Sequence, residues 1–85
     1  MRIIKNIDEI LDLFNDSEDK QLILDSLVIE DELIMPIINE LNEKILLLKV
    51  NGILELIIFK DLNEINEFSK LNPRFNLKED FWVGD

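Results

Sequence analysis

The side chains able to do chemistry in this chain are carboxylates and little else. Asp8, Asp12 and Asp16 recur every four residues, with Glu9, Glu18 and Asp19 beside them, and Glu30, Asp31 and Glu32 form a second run. His and Cys are absent, which excludes a zinc site of the usual kind, a Ser-His or Cys-His nucleophile and any disulfide. Paired carboxylates serve as general acid and base when burial drives their pKa values apart. These acids instead fall on polar helix faces. Gly52 and Gly84 are the only glycines, so no glycine-rich phosphate loop exists. The run Asn15-Asp16-Ser17-Glu18-Asp19 begins like a calcium loop, but Lys20 stands where the central glycine belongs and Ser26 where the closing glutamate belongs. The expectation is a non-enzyme without cofactor or metal.

What remains for the carboxylates is electrostatics. Residues 1–43 hold twelve acids and three bases, a net of −9, whereas residues 44–85 hold seven acids and six bases, a net of −1. Lys20 is the only base between Asp8 and Glu43. On one helix, Asp8, Asp12 and Asp16 would stand one above another about 6 Å apart. That linear density approaches the one charge per 3.4 Å of a DNA strand. A chain with such a row suits the basic groove of a nucleic-acid-binding protein, with steered, salt-sensitive association. The expected partner-binding residues are Asp8, Glu9, Asp12, Asp16, Glu18 and Asp19, with Glu30, Asp31 and Glu32 secondary. The total charge of −10 repels nucleic acid and anionic lipid themselves, so neither is an expected ligand.

The elements that must carry these residues are those of an α+β chain. Its 85 residues make one small domain, 1–85. Arg2-Ile3-Ile4 reads as a short strand or a lead-in to the core. Asn6 reads as an N-cap with Glu9 in capping-box position, and Ile7, Ile10, Leu11 and Phe14 place a helix over 7–15. Leu22–Leu24 and Leu27–Ile29 favour a helix over 18–28, although the β-branched Val28-Ile29 end would equally suit a strand. Leu33, Ile34, Ile37, Ile38, Leu41 and Ile45 recur at helical spacing. Pro36 is tolerated in a first turn, so a third helix is expected from Leu33–Met35 to Asn42–Lys44.

Asn51-Gly52 between two apolar runs is the strongest local signal, because a type I′ turn needs positive φ at both positions. It sets a central antiparallel β-hairpin over 45–50 and 53–59, with Val50 opposite Ile53, Leu48 opposite Glu55 and Leu46 opposite Ile57. Both hairpin faces are nearly all apolar. Either helices cover both, or a second copy covers one, as a homodimer through the hairpin. Asp61 then caps a following helix, with Glu64 in capping-box position and Leu62, Ile65 and Phe68 turned inward. Asn72-Pro73 ends that helix. The aromatic tail (Phe75, Leu77, Phe81, Trp82, Val83) is expected to fold back on the core, with a partner-facing anchor as the alternative.

By composition alone, the chain is similar in type to two groups of short acidic proteins. One comprises phage-encoded inhibitors of host defence nucleases, including anti-CRISPR and anti-restriction proteins. The other comprises immunity proteins and antitoxins that plug a toxin's basic site. The resemblance implies an inhibitor that blocks a nucleic-acid-handling effector through a negative helical face, with toxin neutralisation as one alternative and a homo-oligomeric adaptor as another. The expected partner is a basic nuclease or toxin. The longest charge-free stretch, Leu33–Asn39, is far short of the ~20 residues of a membrane span. Met1–Lys5 is too short for a signal-peptide core. With no cysteine, the expected compartment is the cytoplasm, a host cytoplasm if the chain is phage-encoded.

Overall fold

Asn51 and Gly52 adopt φ of 55° and 79°, and the turn they form joins β3 (Lys44–Val50) to β4 (Ile53–Phe59). The register pairs Val50 with Ile53, Leu48 with Glu55 and Leu46 with Ile57, as the turn chemistry requires. This computed structural model describes residues 1–39, 41–75, 77–78 and 81–82. Val83 of the tail lies outside the described residues.

The hairpin is the middle of a four-stranded antiparallel sheet of order β1-β4-β3-β2. β1 (Arg2–Ile4) adds to β4, and β2 (Leu33–Ile38) adds to β3. The β2 pairing corrects the helix expected from Leu33–Met35 to Asn42–Lys44. Leu33–Ile38 is a six-residue uncharged run with three isoleucines, and branched side chains pack well on a pleated surface. Pro36, which lacks an N–H, is accommodated because β2 is an edge strand. Asn39 and Asn42 then turn the chain into β3. Asn42 takes a left-handed φ of 62°, and the Asn39 carboxamide bonds both the Glu43 backbone N–H (2.9 Å) and the Glu43 carboxylate (2.8 Å).

Among the described residues, three helices accompany the sheet: α1 (Ile7–Leu13), α2 (Lys20–Val28) and α3 (Leu62–Leu71). The N-cap residues are those expected, although Glu64 Oε1 accepts from the Lys60 N–H rather than from that of Asp61. Asn6 Oδ1 accepts from the Glu9 N–H at 3.1 Å and Asp61 Oδ1 from the Glu64 N–H at 3.0 Å. α1 ends at Leu13, two residues before the expected stop. Residues 18–28 are helical from Lys20, after Ser17 Oγ accepts the Asp19 N–H. Leu62, expected to point inward, is 44% exposed.

The two apolar faces of the hairpin are covered by different parts of the same chain. On one face, Ile45, Leu47, Leu54 and Leu56 pack with Ile4, Ile37 and the α1–α2 side chains Ile10, Phe14 and Ile23. On the other, Leu46, Leu48, Ile57 and Phe59 pack with Ile65 and Phe68 of α3 and with Phe75, Leu77 and Trp82. Each fully buried Leu or Ile contributes about 1.5–3 kcal/mol relative to exposure. The tail is pinned by the Trp82 indole N–H, which donates to the Ile45 carbonyl at 2.8 Å, and by edge-on contacts of Trp82 with Phe59 and Phe81. Leu46 and Ile57 on one hairpin face and Leu47 and Leu56 on the other are all buried within the single chain. Both hairpin strands are internal, and the open edges belong to β1 and β2.

Among the described residues, the one buried charge lies on the α1–α2 face. Lys49 is 7% exposed, and its ammonium donates to the carbonyls of Ser26 (2.9 Å), Leu27 (3.1 Å) and Ile29 (2.6 Å). Those carbonyls belong to the C-terminal end of α2, where a helix lacks internal donors and carries partial negative charge. The lysine therefore closes the helix from beneath.

Candidate functional site

The nine candidate carboxylates divide into two groups. Asp8, Glu9 and Asp12 stand on α1, and Asp16, Glu18 and Asp19 follow in the α1–α2 turn. All are exposed except Asp19, which is half-buried at the start of α2. The expected single row of Asp8, Asp12 and Asp16 is broken after Asp12. The Phe14 N–H closes α1 onto the Leu11 carbonyl, and the Asn15 and Ser17 N–H groups continue as tight turns onto Asp12 and Phe14. Asp16 thus leaves the helical spacing and joins a loop.

Glu30, Asp31 and Glu32 lie elsewhere. They are exposed in the connection from α2 to β2, beside Leu33, which pairs with Lys49 near the hairpin turn. The α1–α2 turn faces the other end of β2, five residues or about 17 Å along the strand. Glu32 is ion-paired with Arg74. It is the only one of the nine with a basic partner among the described residues.

The first group opens onto a cleft of about 820 Å³. One wall is the end of α1 and the α1–α2 turn, with Asp12, Asp16, Glu18 and Asp19. The other is the end of β2 and the β2–β3 loop, with Ile38, Asn39, Leu41 and Glu43. Phe14 and Ile45 lie at its base, and among the described residues Arg2 is the only base that lines it. Charge patterning pointed to four of these acids but not to Arg2, Asn39, Leu41 or Glu43, which sheet pairing brings in from distant positions. Asp8 and Glu9, nearer the other end of α1, do not line it.

Five carboxylates with one guanidinium make the cleft a field of one sign, and low-dielectric walls concentrate such a field. In the Asn15–Asp19 loop, Asn15 Oδ1 accepts from Lys20 Nζ at 3.1 Å and Ser17 Oγ from the Asp19 N–H at 3.1 Å. Among the described residues, no group of three metal-ligating side chains is placed to hold an ion. No helix among them is long and apolar enough to cross a membrane. No family model matches the chain, and no curated protein or solved structure is significantly similar to it.

Proposed function

We propose that this chain is a binding protein that inhibits a nucleic-acid-handling effector, of the anti-CRISPR or anti-restriction type, by setting the acidic α1 and α1–α2 surface into the effector's basic groove. One observation carries the reading. Asp8, Glu9, Asp12, Asp16 and Glu18, all exposed, and the half-buried Asp19 form an acidic surface with no basic partner within ion-pair distance among the described residues. The fold tolerates this self-repulsion without needing it, because the core residues belong to other faces. Charge complementarity of this kind raises association rates and selects basic partners. The absence of cysteine suits a reducing cytoplasm, where such effectors work.

The test is a tagged pull-down from nuclease-treated lysate at about 50 and 500 mM salt, followed by competition between the chain and nucleic acid for the captured protein. The expected result is a basic protein released at high salt whose nucleic-acid binding the chain displaces. Reversing Asp8, Asp12 and Asp16 to Lys takes the net charge from −10 to −4 at exposed positions. It should slow association about 100-fold, within the 10–10³ range of electrostatic steering, and leave the circular dichroism spectrum unchanged. A reversed chain that still competes fully refutes the proposal.

A further inference from the structure

The acid-lined cleft also carries exposed apolar surface. Leu13, Ile38 and Leu41 line it at 46%, 42% and 80% exposure, and buried Phe14 and Ile45 form its base. Single exposed aliphatic residues are ordinary. Here three of them, from α1, β2 and the β2–β3 loop, converge on one opening whose rim is acidic. An apolar centre inside a charged rim is the anatomy of a protein-binding patch.

Charge decides the occupant. Nucleic acid, anionic lipid and acidic peptides are repelled by the five rim carboxylates. A second copy of this chain would bring the same carboxylates against themselves, because a two-fold contact pairs each patch with itself. A cationic segment that also carries aliphatic groups meets both parts of the cleft. The long methylene stems of Lys and Arg can lie along Leu13 and Leu41 while their charged heads reach the rim.

We infer that the cleft holds an amphipathic, basic segment of a protein partner, with an aliphatic side chain seated between Leu13, Ile38 and Leu41 and flanking Lys or Arg on the rim carboxylates. This rests on the proposed protein-binding role and adds the chemistry of the segment that is gripped. The rim sets the rate of encounter, and the apolar base sets how long the complex lasts.

The probe is a labelled synthetic peptide of about twelve residues, Leu and Lys at helical spacing, compared with oligolysine of equal charge and with a Leu/Ser peptide of equal apolar content. Binding to the full chain is read by fluorescence anisotropy, and its location by amide chemical shifts. The Leu/Lys peptide should bind at least about tenfold more tightly than oligolysine, with the largest shifts in Leu13, Ile38 and Leu41. Leu13→Ser with Leu41→Ser, both at exposed positions, should abolish that difference, leave oligolysine binding unaltered and preserve the circular dichroism spectrum. Equal affinity for both basic peptides overturns the inference. So do tighter binding of the Leu/Ser peptide, largest shifts around Glu30–Glu32, and self-association in sedimentation that the double variant removes. If the Leu/Lys peptide binds as expected while the chain displaces no nucleic acid from a captured partner, the inhibitor proposal fails and the cleft assignment stands.

Discussion

Lys49→Met isolates the contribution of a buried cation to this fold. Methionine keeps an unbranched apolar stem under α2 and removes the ammonium, so the carbonyls of Ser26, Leu27 and Ile29 lose their shared donor. Ile29 is the most open of the three residues, and water can replace the lysine at its carbonyl. The Ser26 carbonyl is buried and the Leu27 carbonyl partly so, and a buried carbonyl left unpaired costs about 1–3 kcal/mol. Losing the cation at the negative end of α2 adds about 0.3–1 kcal/mol. Against this stands the relief of no longer burying an ammonium, a desolvation penalty of several kcal/mol that offsets part of the loss. The expected net loss is about 2–3 kcal/mol. An 85-residue domain at 0.05–0.15 kcal/mol per residue has only about 4–13 kcal/mol in total. Thermal unfolding should therefore fall by about 10–20 °C. Urea titration followed by circular dichroism measures the loss, and amide exchange locates it. The last turn of α2 should lose protection first, while peptide binding at the cleft, which lies at the other end of β2, persists in the folded variant. A loss below about 0.5 kcal/mol, the scale of an ordinary surface change, would refute the view that Lys49 closes α2.

Leu46 and Leu47 are adjacent, fully buried and on opposite sheet faces. Changing either to Ala should cost about 2–5 kcal/mol by urea titration, and a loss under about 1 kcal/mol at one of them would show that its face is not covered by the chain. Trp82→Phe removes the donor to the buried Ile45 carbonyl and should cost about 1–3 kcal/mol; unchanged stability would show that the tail does not close the α3 face. The Glu64 carboxyl lies below its ordinary pKa of 4.5 because the N-terminal ammonium and then the Lys60 N–H donate to it. Its folded pKa is depressed, so its stabilisation is present above the unfolded pKa and is lost as pH falls through the folded value. Glu64→Gln should therefore be less stable than the parent near neutrality, with the gap closing in acid. A gap that does not change with pH would separate Glu64 from any titration effect.

The parts of the fold legible in the sequence are those whose cause is local. Asn51-Gly52 needs nothing distant to form its turn, and period-two alternation then places Leu46 and Leu47 on opposite faces. Asn6 and Asp61 cap their helices through N–H groups three residues on. Residues 33–44 were misleading because Leu33, Ile34, Ile37, Ile38 and Leu41 match a helix period while six uncharged residues also match a buried strand. Two features favour the strand. A proline inside the run belongs to an edge, and Asn39 and Asn42 suit a turn better than a helix interior.

That one ambiguity also hid the cleft. Read as a helix, residues 33–44 have no loop at Asn39–Glu43, so Leu41 and Glu43 cannot form a wall opposite Asp12–Asp19. The acidic bias was visible as a property of the first half of the chain, but where it concentrates depends on β2 running antiparallel to β3. The same pairing sends Glu30–Glu32 to the hairpin end and leaves Glu43 at the other. Lys49 follows the opposite logic. A lone lysine on an apolar strand face must find acceptors, since a buried unpaired ammonium is far too costly to persist. With no acid on that face of the hairpin, the acceptors are the carbonyls at the end of the helix packed above it. By anchoring the end of α2 through backbone oxygens, the chain uses no carboxylate to neutralise its buried cation. Asp8, Glu9, Asp12, Asp16 and Glu18 are left exposed and Asp19 half-buried, none of them drawn into pairing with the buried cation.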